Sequence, residues 1–231
     1  MEEYSALPST QELIRQRLAA GEDVDGLVVR AAEQPAGRGQ RAKPWASGPG
    51  GSYQSFALKD RWEGALSRPA ITLLLAVHLA EALREAGARV SVKWPNDLYL
   101  GSGKVGGILS ELLRSHLVVG VGMNVDNEVP AGAGALVGWE LAYVNTLVLE
   151  AASACLSAAV LAGDTTAAEL PTRLAPLDFL SGRTVVVRTA RGDVSGRAAG
   201  VAADGALVVA TQEGKVALHS GTVLSWESVA E

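Results

Sequence analysis

The chain has 231 residues, room for one large domain or for one medium and one small domain. Lys and Arg number 20 against 25 Asp and Glu, a net charge of −5, and the clustered cations lie between Arg38 and Lys43; a nucleic-acid binder carries a broader basic stripe, so no DNA binding is expected. One Cys and three His exclude a disulfide framework or a zinc site, the apolar run at 70–83 is too short to span a membrane, and Met1-Glu2-Glu3 lacks the cationic start of a signal peptide, so a cytoplasmic protein without membrane contact is expected.

Ser9-Thr10-Gln11-Glu12 has the form of a capping box. It predicts a helix through about Ala20, with Leu13, Ile14 and Leu18 on one face and Gly21 as its stop. Residues 27–32 form a short β-prone run. Residues 34–51 are rich in Gly and Pro and predict a long loop without helix or strand. Residues 52–58 read as a strand, and Pro69 opens a long helix, 70–86, that Gly87 closes. A strand at 89–93 runs into Trp94-Pro95, and Gly101-Ser102-Gly103 is the turn of a hairpin leading into 105–113. Residues 117–125 form another apolar strand and 126–138 a loop. An Ala- and Leu-rich helix at 142–161 holds Cys155 as a small buried residue. A shorter helix covers 167–175, and Pro176 marks a boundary.

After Phe179 the texture changes. Short β-runs at 185–188, 194–202, 206–210, 216–220 and 223–226 alternate with Gly-containing turns, which predicts a small barrel.

Four segments carry candidate chemistry. In the first, from Gln34 to Trp45, glycines allow a ligand close to the backbone while Arg38, Arg41 and Lys43 add positive charge; the plain alternative is a solvated surface loop. In the second, Lys93-Trp94-Pro95-Asn96-Asp97, the Lys can neutralise a phosphate, and the Asp can hold Mg²⁺ or orient the Lys; otherwise it is a strand end with an Asn-Asp turn. The third, Gly103 to Glu111, places Lys104 before Gly106 and Gly107, which leave room against the sheet; a glycine bulge in a hairpin has the same pattern. The fourth, Gly120-Val121-Gly122-Met123-Asn124, suits a ligand or close sheet–helix packing equally. No P-loop, dinucleotide fingerprint or Ser/His/Asp order occurs.

In this order the four segments resemble the catalytic domain of biotin–protein ligases. Gly37-Arg38-Gly39 with Trp45 looks like that family's adenylate loop, Lys93 to Asp97 followed by Lys104-Val105-Gly106-Gly107-Ile108-Leu109 is similar to its most diagnostic stretch, and Ser9-Thr10 stands where the family has a Ser-Thr pair. Asp204-Gly205-Ala206-Leu207 and His219-Ser220-Gly221 resemble its C-terminal SH3-like barrel. The chain departs at Gln40, where many members have Arg, at Gln11, where Asn is common, and at Tyr53-Gln54-Ser55, which replaces a more apolar strand.

The resemblance implies an α+β catalytic domain at 1–178, a mixed central sheet with flanking helices, and an SH3-like β-barrel at 179–231. It implies biotin and ATP as substrates, Mg²⁺ on the ATP phosphates, and a lysine of a biotin carboxyl carrier protein as acceptor. Lys104, Arg38 and Lys93 become the catalytic cations. Ser9, Thr10, Gln11, Gln34, Gly37, Arg38, Gly39, Gln40, Lys104 and Gly107 become biotin contacts. Arg38, Arg41, Lys93, Asn96, Asp97, Lys104, Asn124 and Trp139 become contacts of the nucleotide, with adenine under the 126–139 loop and Asp97 as the candidate Mg²⁺ ligand. Many members carry an N-terminal helix-turn-helix repressor module, for which the eight residues before Ser9 leave no room. A homodimer is compatible with the sequence. Lipoate–protein ligases and octanoyltransferases share the fold, but their arginine and triple-glycine stretch is not found here.

Overall fold

The computed structural model describes residues 1–60, 67–162 and 164–227. Its frame is a seven-stranded mixed sheet in the order β1-β2-β3-β7-β6-β5-β4. The strands are β1 (Glu2–Tyr4), β2 (Val28–Ala31), β3 (Ser52–Lys59), β4 (Val90–Lys93), β5 (Asp97–Leu100), β6 (Gly103–Leu113) and β7 (His116–Met123). Only the β1–β2 pair is parallel.

Both faces of this sheet are covered, and side-chain alternation along the strands decides what covers them. Ala57 of β3 and Val118 of β7 meet Ile14 and Leu18 of α1 (Thr10–Ala20). Their neighbours Phe56, Leu117, Val119 and Val121 join the larger core on the opposite face. That core is filled by α2 (Arg68–Glu85), α3 (Leu141–Ala162) and α4 (Asp164–Leu174). Helix α2 is buried on several sides: Leu73, Leu74, Leu75, Ala76 and Val77 are all at 0% exposure, as expected of a helix apolar around most of its circumference. Ser67 caps it, its Oγ accepting from the Ala70 N–H at 3.2 Å, and Pro69 sits in the first turn, where no amide partner is lost. The stretch Leu141–Ala158 of α3 is long and apolar enough to cross a membrane by length and composition. Here Val144, Val148, Ala152, Cys155 and Leu156 of that stretch are packed into the core.

Three local expectations differ from the structure. Ser9 is the N-cap of α1 by backbone geometry, but its side chain makes no capping hydrogen bond. Glu12 pairs with Arg15 at 3.2 Å, so the capping box does not form. Strand β1 is unexpected from the sequence, since three residues carry too little pattern; the Glu2–Arg17 and Glu3–Arg30 ion pairs tie it down. Helix α4 starts at Asp164, three residues before the expected 167, and accommodates Pro171 in its interior.

The chain then forms a five-stranded antiparallel sheet in the order β11-β10-β9-β8-β12, the small barrel expected from the turn spacing. Its strands are β8 (Thr184–Thr189), β9 (Gly192–Val201), β10 (Leu207–Thr211), β11 (Gly214–Leu218) and β12 (Thr222–Trp226). The barrel docks on the β4 edge of the large sheet. Phe179 N donates to Val92 O at 2.9 Å, and Trp94 Nε1, 1% exposed, donates to Gly205 O at 3.0 Å.

Gly205 is pinned at that joint from two directions. Its φ is +82°, and a Cβ there would lie 2.6 Å from Ala70 N at the start of α2. Backbone strain and overpacking therefore add, and Gly205→Ala is expected to lower stability by roughly 2 kcal/mol or more. Urea unfolding checks this; an unchanged midpoint would contradict the crowding at the joint.

Candidate active site

The two central strands carry glycines where the sheet faces α1. Gly107 of β6 pairs with Gly122 of β7, and Gly120 pairs with Leu109. A Cβ at Gly120 would lie 2.4 Å from Gln11 Oε1, and one at Gly122 would lie 2.7 Å from Trp45 Nε1. The bare strip is thus already closely approached by side chains, and any residue larger than Gly would displace them. Above it lies a cavity of about 340 Å³.

One end of the cavity is neutral and rich in hydrogen-bonding groups. Ser9, Thr10 and Gln11 enter from the first turn of α1 and are all buried. Thr10 Oγ1 lies 2.7 Å from Ser55 Oγ. Gln34 Oε1 accepts from Thr10 N at 2.8 Å and from Thr10 Oγ1 at 3.1 Å, and so satisfies the first of the helix's open N-terminal amides. Its Nε2 donates to Ser47 Oγ at 3.1 Å, tying the loop at 34–51 to the helix. Gln11 Nε2 donates to Glu111 Oε2 at 2.7 Å, a carboxylate that Arg15 also grips at 2.8 Å.

The other end is cationic. Arg38, Arg41, Lys43, Lys93 and Lys104 line the cavity, and Asp97 is the one carboxylate among the described lining residues. Lys104 Nζ is 2.5 Å from Asp97 Oδ1 and lies over the Trp45 ring, 5.0 Å from its centroid. Lys93 is 7% exposed. Burial pushes its pKa below that of an ordinary lysine; nearby Asp97 opposes the shift and Lys104 adds to it. The concentration of cations contrasts with the chain's net charge of −5 and focuses positive potential in one recess.

The two Asn residues act on backbone. Asn96 Nδ2 donates to Ile108 O at 2.7 Å, holding β6 beside the Lys93 strand end. Asn124 Nδ2 donates to Gly134 O at 2.9 Å, stitching the 126–138 loop to the sheet. Gly39 and Gln40 lie in the cavity wall, the latter starting a short 3₁₀ turn, Gln40–Ala42, in the loop expected to have none. Among the described residues no group of three His, Cys, Asp or Glu is placed to hold a metal ion.

Two residues singled out from the sequence stand outside the cavity. Gly37 lies on the groove behind the loop, where a Cβ would meet Ser47 Oγ at 2.4 Å. Trp139 stacks on Tyr143 with 6.0 Å between centroids. Conversely, the structure adds Ser55, Trp45 and, from the barrel, Gly221, Thr222 and Val223. Trp45 belongs to the loop motif in the sequence but carries no expected contact there; its Nε1 is buried with no hydrogen-bond partner among the described residues. The barrel residues lie some 100 positions beyond Gly120, and no local pattern marks them.

Comparisons with known proteins place this geometry. The model of the biotin/lipoate A/B protein ligase family matches residues 4–126, and that of the biotin protein ligase C-terminal domain matches 180–225. The bifunctional ligase/repressor BirA of Escherichia coli is 37% identical over 126 residues, 52% of this chain and 38% of that protein. A biotin–[acetyl-CoA-carboxylase] ligase of Paracoccus denitrificans is 38% identical over 113 residues, 46% of this chain and 47% of that one. The matched stretch thus spans less than half the length of either relative. A biotin protein ligase from Aquifex aeolicus, solved in complex with biotin and ATP, superposes with a TM-score of 0.83 at 28% identity, covering 99% of this chain and 97% of that one.

The Gln34 bridge yields a direct test. Gln34→Ala removes the acceptor for Thr10 N and the tie to Ser47, and is expected to cost about 1–2 kcal/mol. Urea unfolding measures the loss, and faster hydrogen exchange at the Thr10 amide locates it. An amide that stays equally protected would show that the bridge is not what caps α1.

Proposed function

Since the chain belongs to the biotin/lipoate A/B protein ligase family, we propose that it activates biotin with ATP as biotinoyl-5′-AMP and passes the biotinoyl group to a lysine of a biotin carboxyl carrier protein domain. The observation that carries this reading is a single cavity with a neutral hydrogen-bonding end and a cationic end, joined over a strip of glycines. A ureido ring needs a few fixed hydrogen bonds in a closed pocket, and Ser9, Thr10, Gln11 and Gln34 supply them, with Gly39, Gln40 and Gly107 in the wall. Triphosphate needs cations, and Arg38, Arg41, Lys93 and Lys104 supply those. Acetyl-CoA carboxylase, named for the Paracoccus relative, is the natural source of the acceptor. ATP as substrate and the buried, free Cys155 fit a cytoplasmic setting.

The biotin carboxylate is ionised at neutral pH and is itself the nucleophile. Its oxygen attacks the α-phosphorus, the bond to the bridging oxygen breaks, and pyrophosphate leaves with the electron pair. No enzymic base is needed. The protein holds the reactants in line and neutralises charge that grows on the phosphate oxygens. Lys104, Lys93 and Arg38 do this, the first held in place by Asp97. Mg²⁺ would arrive on the ATP phosphates, which suits a site offering one carboxylate, Asp97, rather than a cage. In the second step the acceptor amine attacks the acyl carbon, a C–N bond forms, AMP leaves and the amine sheds its proton. Adenine lies under the loop that Asn124 stitches down, and Trp139, stacked on Tyr143, closes that loop. Gly37, packed against Ser47, sets the loop's approach to the adenylate.

Incubation with ATP, Mg²⁺ and biotin, lipoate or octanoate separately decides the substrate: acyl-AMP is expected with biotin alone. Lys104→Ala should slow pyrophosphate release by a factor corresponding to about 3–4 kcal/mol of transition-state stabilisation. A variant within about threefold of wild type, under roughly 0.7 kcal/mol, would remove Lys104 from its role.

The loop at 34–51 should order when biotinoyl-AMP is bound. Arg38, Arg41 and Lys43 repel one another until an anion lies among them, and a closed loop keeps water from the anhydride. Limited proteolysis with and without biotin and ATP measures this; equal cleavage rates with ligand shown to be bound would contradict it.

A further inference from the structure

Lys93 and Lys104 are held in different ways. Lys104 has a carboxylate partner, and that carboxylate is Asp97. Lys93 rests on rings. Its Nζ is 4.1 Å from the centroid of Trp226 and 5.1 Å from that of Tyr99, whose hydroxyl it approaches at 3.3 Å. The rings brace one another: Tyr99 and Phe179 are 4.7 Å apart, and Phe179 meets Trp226 edge-on at 5.6 Å. Arg183 lies over Phe179 at 4.6 Å. The charged and titratable groups near the Lys93 ammonium are Asp97 and Tyr99 of β5 and Lys104 of β6; the face offered by β12 is Trp226.

The next residue fixes the same joint. Trp94 Nε1 donates to Gly205 O at 3.0 Å, and a Cβ at Gly221 would lie 3.4 Å from its ring. Consecutive side chains at the end of β4 thus grip the barrel, so the position of Trp226 over Lys93 is set by a packed interface.

We propose that Trp226 is a positioning residue for Lys93, through which the barrel becomes part of the nucleotide-activating machinery. The proposal rests on the reading of the cationic end as the phosphate site. An ion pair would hold the ammonium but cancel much of the charge meant for the phosphate. An aromatic face orients and partly compensates a desolvated cation while leaving its net charge intact. It therefore suits a lysine that must be buried, aimed and still positive when the nucleotide arrives. Burial alone drives the amine towards its neutral form, as the lowered pKa of Lys93 reflects.

The test uses the whole chain with ¹³Cε-labelled lysine, the Lys93 signal being assigned by Lys93→Arg. In the wild type the Lys93 ε-methylene protons should be displaced upfield by the ring current of Trp226. A position ordinary for free lysine overturns the proposal without any Trp226 variant having to fold. Trp226→Met keeps an apolar contact without a π face, whereas Trp226→Phe keeps one. The Met variant should lower the Lys93 titration midpoint by about one pH unit, and the Phe variant should restore most of it. In pyrophosphate exchange, Trp226→Met should raise KM for ATP roughly tenfold and leave KM for biotin within about twofold, again with rescue by Phe. Unchanged titration and ATP dependence in a folded Met variant overturn the proposal, as does equal loss for both substrates. The lysine signals report on Trp226 whichever acid is activated. Failure of the wild type to make biotinoyl-AMP would sink the functional reading and leave this one to the titration.

Discussion

A sheet covered on both faces ordinarily leaves no hole. Here α1 covers one face and α2 to α4 the other, so a ligand site can exist only where the sheet gives up its side chains. It does so at Gly107, Gly120 and Gly122, adjacent on β6 and β7. Everything else in the site is arranged around that strip. Gln11 and Trp45 both reach over it, and the Thr10 amide at the start of α1 donates to Gln34 of the loop. Ser9 makes no capping hydrogen bond with its side chain, and both Ser9 and Thr10 line the cavity instead.

Charge is distributed with similar economy. A net-acidic chain gathers five cations around a recess with one carboxylate among its described walls. Exposed Arg38 lies 3.8 Å from Glu12, a weak pairing in water that leaves it able to turn to an anion. Lys104 is fixed by Asp97, and Lys93 is desolvated against rings. The three cations thus differ in mobility and solvation: one free to move, one salt-bridged and one enclosed.

Much of this was legible in the sequence because it follows from short-range pattern. The long apolar run after Pro69 gave α2, the Gly-centred turns after Phe179 gave the barrel strands, and the four candidate segments do converge on one cavity. What was not legible depends on distance. Strand β1 owes its place to ion pairs with Arg17 and Arg30, which a three-residue run does not announce. Thr222, Val223 and Trp226 reach the site only because the barrel docks on β4. Trp139 stacks on Tyr143 of α3, a pairing that no pattern in the loop before it announces. Local pattern located the polypeptide that builds the site; tertiary docking chose which side chains point into it.

The joint between the sheet and the barrel has a consequence for the order in which the molecule comes into being. Residues from Ser9 to Val223 border the same cavity, so its walls are drawn from nearly the entire span of translation. A ribosome that has made everything through α4 has made the glycine strip, both lysines and the loop, but Lys93 and Trp94 would still lack their covering. Only once β12 has emerged and returned to β8 is the recess enclosed.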